Sequence, residues 1–203
     1  QDRLLAGWRQ AEHVVSLGVS TIPSAYLLPD LLARFSVLHP DISFDIHQSD
    51  SSGVLRALRT GRFDLGLTGM SAPDEDLVFT PLYQDTMVLI APNTPEFSAA
   101  KAQNMPLAAL LQSHPLLLRE NGSGSQRSAD DFLRAAGLKT DALHVAARLN
   151  DQESIKNLVA AGLGLAIVSA VSVAREHDRG DLLLFPLADA ARSFYVVTRR
   201  HDF

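Results

Sequence analysis

Between residues 13 and 69, three strand-like apolar runs alternate with two stretches of helical spacing, which limits the fold more than any other feature of this chain. Residues 14–19 (VVSLGV) predict a short strand with Gly18 inside it. Ser20 and Thr21 follow, then Ile22-Pro23, where proline suits the first turn of a helix. Leu28, Leu31, Leu32, Phe35 and Leu38 recur at helical spacing and predict one broad apolar face, ended by His39-Pro40. Ile42, Phe44 and Ile46 alternate with Ser43, Asp45 and His47, a strand with one polar face. A turn at residues 49–52 caps a short helix bearing Val54, Leu55 and Leu58, and Gly61 closes it. Residues 63–67 (FDLGL) make the third strand, ending in Thr68-Gly69. Strand–helix–strand–helix–strand within about 55 residues is the pattern of a parallel sheet with right-handed crossovers.

A second α/β unit follows. Two apolar runs, 77–82 and 87–91, precede a connection punctuated by Pro92, Pro95 and Pro106, with a short helix at 107–111. Residues 115–118 form a strand that opens into Asn121-Gly122-Ser123-Gly124-Ser125 and then a helix carrying Phe132, Leu133 and Ala136, capped by Gly137. Two glycines let the backbone turn tightly there, and hydroxyls and first-turn N–H groups converge on a socket for a small anion or polar group. Residues 143–149 predict a further strand. Asn150 with Glu153 reads as an N-cap signature for a helix with Ile155, Leu158 and Val159 inside and Gly162 at its end. Residues 163–168 return as a buried strand, and 182–185 and 194–198 are the last two strands.

Composition narrows the function. The net charge of −5 and pI near 5.8 argue against a nucleic-acid grip by this segment. No apolar run approaches the roughly 20 residues that cross a bilayer. The absence of cysteine excludes disulfides, thiolate catalysis and Cys-bound metal, and suits the cytoplasm. The start at Gln1 is expected to mark a cut or processed piece, with residues 1–12 an entry helix or linker remnant.

No catalytic constellation emerges. Gly122-Ser123-Gly124-Ser125 has the wrong phase for a nucleophile elbow, and neither phosphate-loop consensus fits. The seven histidines lack metal-ligand spacing. Arg127 is expected to face solvent or a neighbouring carboxylate, and residues 176–179 (EHDR) to form a solvated helix end. No cofactor, metal or catalytic residue is expected. What remains is a set of hydroxyl and amide residues at strand C-termini: Ser20, Thr21, Thr68, Ser123, Ser125 and Asn150. Ligands of open parallel sheets gather at those ends. Each position singly reads as a helix cap; together they predict capture of a small polar or anionic molecule.

The ordered set GVSTIPSAYLLPDLLARFSVLHPDISFDI, GRFDLGLTG, LRENGSGSQRSADDFLRAAG and DQESIKNLVAAGLGLAIVS resembles the effector-binding domain of LysR-type transcriptional regulators, over residues 13 to 198. That resemblance implies the type 2 periplasmic-binding-protein fold: two Rossmann-like α/β subdomains joined by two crossing strands, with the effector in the cleft between them. Carried onto this sequence, subdomain I is 13–88 plus 168–203 and subdomain II is 89–167, with crossings near 87–91 and 167–168. The implied ligand contacts are Ser20, Thr21, Thr68, Ser123, Gly124, Ser125 and Asn150, and the expected effector is a carboxylate or oxyanion. The resemblance also implies a homodimer, a tetramer in the full-length protein, promoter DNA bound only through an N-terminal helix-turn-helix outside this sequence, no membrane contact, and a cytoplasmic location. The rival readings are a periplasmic solute-binding protein for a small anion or amino acid, and an enzyme on the same fold such as a deaminase or dehydratase relative.

Overall fold

A computed structural model describes residues 13–200; the entry helix or linker expected at 1–12 lies outside the described residues. The chain forms two compact units, residues 1–83 with 194–203 and residues 84–193.

The first unit runs β1 (His13–Ser20), α1 (Thr21–Tyr26), α2 (Leu28–Leu38), β2 (Ile42–Ser49), α3 (Ser51–Arg59), β3 (Leu65–Thr68), the start of β4 (Leu77–Pro92) and the end of β8 (Leu182–Arg199). Its strand order is β2-β1-β3-β8, with β1 parallel to β2 and β3 and β8 antiparallel to β3. The Asp50 carboxylate accepts from the Gly53 N–H, satisfying an orphan donor of α3's first turn. Val54, Leu55 and Leu58 of that helix bury against Phe63, Leu77 and Val197. On the other face Leu17, Val19 and Leu67 meet Leu28.

Helix α2 departs from its expected role. Only Leu28 is buried and Leu32 packs partly, whereas Leu31 and Phe35 are exposed and Val37 and Leu38 stand 80% and 75% in solvent. Helical spacing is present, and Leu28, Leu32 and the Phe35 ring against Phe44 meet the sheet while the end of the helix leaves it.

The second unit continues with the rest of β4, then α4 (Pro95–Ala102), α5 (Leu107–Ser113), β5 (Leu116–Arg119), α6 (Gly124–Ala135), β6 (Val145–Leu149), α7 (Gln152–Ala160), β7 (Leu165–Ser169), α8 (Ala174–Asp178) and the start of β8. Its strand order is β4-β7-β5-β6. Side-chain alternation along these strands loads both faces. Met87, Leu89, Leu116 and Leu118 join Leu110, Leu111 and Leu133 in one core, and Val88, Ile90 and Leu117 join Ile155 and Val159 in the other. Helix α4 arises inside the proline-punctuated connection because Pro95 occupies a first-turn position, where its missing N–H costs nothing.

Two boundaries differ from expectation. The runs 77–82 and 87–91 belong to one continuous strand, β4, and 182–185 and 194–198 to another, β8. The chain returns to the first unit at 193/194 rather than near 167–168. The reason is pairing: β7 bonds to β4 and β5, and Phe185 and Leu187 of β8 sit in the second unit's core, so residues 168–193 belong there. Among the described residues no helix is long and apolar enough to cross a membrane.

Candidate ligand-binding site

In the first unit, the parallel register pairs Ser20 with Ser49 and Val19 with Leu67, so Ser20 and Thr68 lie side by side at the strand C-termini. Adjacent strands lie about 4.8 Å apart, which brings both hydroxyls within reach of one small group. Ser20 and Thr68 are buried and Thr21 is half-buried. Ser20 precedes α1 without making a side-chain cap bond. The Thr68 hydroxyl donates to the Met70 carbonyl at 2.8 Å, which commits its proton and leaves its lone pairs outward.

In the second unit, Ser123 caps α6, its Oγ accepting from the Gln126 N–H at 3.3 Å. Gly124 and Ser125 form the first turn and are buried. The Gln126 side chain accepts from the Arg119 N–H at 2.7 Å and donates to Asp130 at 2.8 Å, which ties the start of α6 to the end of β5. Arg127 is exposed, as its sequence position suggested.

Asn150 differs from expectation. The N-cap of α7 is Asp151, whose carboxylate accepts from the Glu153 and Ser154 N–H groups, because the helix begins one residue later than the Asn150–Glu153 signature implies. Hydrogen bonds from the Ser154 hydroxyl and N–H hold the Asp151 carboxyl below the usual carboxylate range. Asn150 itself is exposed, and its carbonyl accepts from Arg119 Nη2 at 3.4 Å.

Three further residues, Arg119, Arg192 and Asp85, matter here and were not singled out from the sequence. Arg119, buried at the C-terminus of β5, reaches Gln152 Oε1 at 3.1 Å and makes a fork with Glu120 at 2.9 and 3.0 Å. Arg192 and Asp85 are nearly closed off, their side chains 7% and 2% exposed and 2.9 Å apart. Asp85 Oδ2 also accepts from the Ser169 hydroxyl at 2.6 Å, and Arg192 Nη1 donates to Ser125 Oγ at 3.2 Å. Burial lowers the Arg192 pKa, the charge and hydrogen bond of Asp85 oppose that, and the nearby Arg119 charge adds to it. Arg119 offered a signal, a cation ending an otherwise apolar strand; Arg192, in a mixed run of small residues, offered none. Among the described residues no group of three or more His, Asp or Glu is arranged to hold a metal ion.

The model of the LysR substrate binding domain matches residues 9–203. The chain belongs to that family. The HTH-type transcriptional regulator CfxR of Cupriavidus necator is 32% identical to it over 186 residues, 88% of this chain and 56% of CfxR. A probable RuBisCO transcriptional regulator of Cyanophora paradoxa is 30% identical over 169 residues, 82% of this chain and 51% of that protein. This LysR domain thus spans about half the length of these curated relatives. The regulatory domain of CcmR from Synechocystis PCC6803, in complex with 2-PG, superposes with a TM-score of 0.82 at 22% identity, covering 95% of this chain and 90% of that one. The fold is therefore the type 2 periplasmic-binding-protein fold expected from the sequence.

Proposed function

We propose that this LysR domain is the effector-sensing part of a transcriptional regulator, and that it binds a small carboxylate or oxyanion through Ser20, Thr21 and Thr68 of the first unit and Ser123, Gly124, Ser125 and Asn150 of the second. The reading is carried by the family match over residues 9–203. The hydroxyls that cluster at strand C-termini within each unit support it. Binding one conformation of the regulator better than another shifts its population, and a tenfold preference corresponds to about 1.4 kcal/mol. Promoter DNA is then contacted by a helix-turn-helix outside this sequence, in a homodimer or a tetramer, in the cytoplasm, with no chemistry done on the effector. CfxR and the probable RuBisCO regulator are both named as transcriptional regulators, which supports this reading over catalysis.

Thermal-shift screening of the chain against 2-PG, inorganic phosphate and small metabolite carboxylates is the test, followed by calorimetry on the hits. Ser20→Ala and Ser125→Ala are each expected to weaken binding of the same compound about tenfold while melting near the wild-type temperature. Unchanged affinity in both variants overturns the site assignment.

A further inference from the structure

We infer that Arg192 sets the chemical polarity of the ligand end received at the start of α6: it biases Ser125 toward donating there, which favours a ligand that presents an oxygen acceptor, a carboxylate or phosphate group. This rests on the proposed function, in which Ser125 meets the ligand.

A serine Oγ carries one proton and two lone pairs, so which role it offers a ligand depends on what its neighbours have already taken. Arg192 Nη1 donates to Ser125 Oγ at 3.2 Å, occupying a lone pair with a cationic donor. Arginine has no acceptor and keeps its charge at every working pH, so this bond cannot reverse. Among the described residues no acceptor is in place for the Ser125 proton, although Ser125 is buried. The hydroxyl is thus left to donate, polarised by a charge behind it. First-turn backbone N–H groups of a helix are donors as well, so an acceptor with two oxygens engages both kinds at once.

Arg192 is itself held in place. Its Nε donates to Asp85 Oδ2 at 2.9 Å, and the same oxygen accepts from Ser169, the last residue of β7. The Asp85 charge is thereby engaged by two donors, while Arg119 contributes a second positive charge near Arg192. A carboxylate ligand meets donors, where a primary amide would press one of its N–H groups against them. The first unit presents the opposite polarity at Thr68, whose proton is committed to Met70.

The test uses the 203-residue chain and a panel of metabolite carboxylates of two to seven carbons, each paired with its primary amide, together with inorganic phosphate. In the wild type the acid of a binding pair is expected to bind at least tenfold more tightly than its amide. Arg192→Gln, which removes the cation behind Ser125, is expected to cut that ratio about tenfold. Because it also strands Asp85, the paired Asp85→Asn/Arg192→Gln variant keeps hydrogen bonding without buried charge and is expected to give the same loss. Ser125→Ala, which leaves the Arg192–Asp85 pair intact, is expected to lose the selectivity as well. Acid selectivity unchanged in the paired variant, or an amide preferred by the wild type, overturns the role of Arg192 while leaving the sensor reading intact. Selective binding that ignores both Ser20→Ala and Ser125→Ala, or a panel without a single binder, overturns the sensor reading itself.

Discussion

Replacing Lys156 with Met separates charge from packing in the second unit, because methionine keeps much of the buried stem and loses the ammonium. Lys156 Nζ donates to the Ser172 carbonyl at 3.0 Å and pairs with Glu176 at 2.7 Å and Glu153 at 2.8 Å, which anchors the segment 170–178 to α7. Breaking one side of a buried ion pair costs roughly 3–5 kcal/mol. Glu176 keeps 17% exposure and can turn toward water, so the low end, about 3 kcal/mol, applies. For a chain of this size that corresponds to a melting point lower by roughly 6–12 °C. The pH dependence carries the diagnostic sign. Burial acts to raise the Glu176 pKa, but the hydrogen bond and charge of Lys156, with a backbone N–H and Arg179, outweigh it, and the net value lies below the ordinary one. A depressed carboxyl contributes stability above its unfolded pKa and loses it as pH falls through the folded value. In Lys156→Met the Lys156 hydrogen bond and charge are gone, and burial acts against the backbone N–H and Arg179 only, so less stability is lost in acid. Urea unfolding followed by circular dichroism should show a wild-type advantage of about 3 kcal/mol at pH 7 that begins to narrow at about pH 5 and shrinks further as pH falls through the folded value. The double variant Lys156→Met/Glu176→Gln should recover more than half of the loss at pH 7. A gap that stays constant across that range, with strictly additive double-variant losses, would refute the electrostatic account and assign the effect to packing.

Two further outcomes follow from local geometry. A Cβ added at Gly164 would stand 2.5 Å from the Pro115 carbonyl oxygen, which also accepts the Leu165 N–H, so Gly164→Ala must move backbone and should cost roughly 1–3 kcal/mol in urea unfolding. Asp151→Ala removes the cap of α7 and should cost about 1 kcal/mol at pH 7; because the Asp151 carboxyl is held below its ordinary pKa, that difference should fade as pH drops through the folded value.

The alternating core was legible because burial and periodicity coincide there. Leu116 and Leu118 against Leu117, and Met87 and Leu89 against Val88, read as strands with both faces covered. Legibility failed where a strand continues without burial. In β4 the residues between the two apolar runs are largely exposed, so hydropathy shows a break although the backbone ladder does not. The same holds in β8 around residues 188–191, where three of the four residues are exposed. Spacing on α2 gave the apolar face but not its burial, since an apolar stripe states what a face is made of and not what covers it.

At the candidate site the strand ends were legible and the hydrogen-bond directions were not. A hydroxyl at a strand end can be recognised from Ser20, Thr68 or Ser125 in the sequence, because strand, turn and helix signals fix where the end falls. Whether that hydroxyl gives or takes a hydrogen bond depends on groups far away along the chain: Arg192 lies 67 residues from Ser125, and Asp85 lies 107 residues from Arg192. Thr68 shows the local case, its proton taken by a carbonyl two residues on, and even there the choice is made by a turn geometry that no residue pattern specifies. Donor direction is what separates a carboxylate from an amide of the same shape. On the proposal for Arg192, a substitution at Arg192 or Asp85 should change acid-over-amide selectivity while Ser125 itself is unaltered.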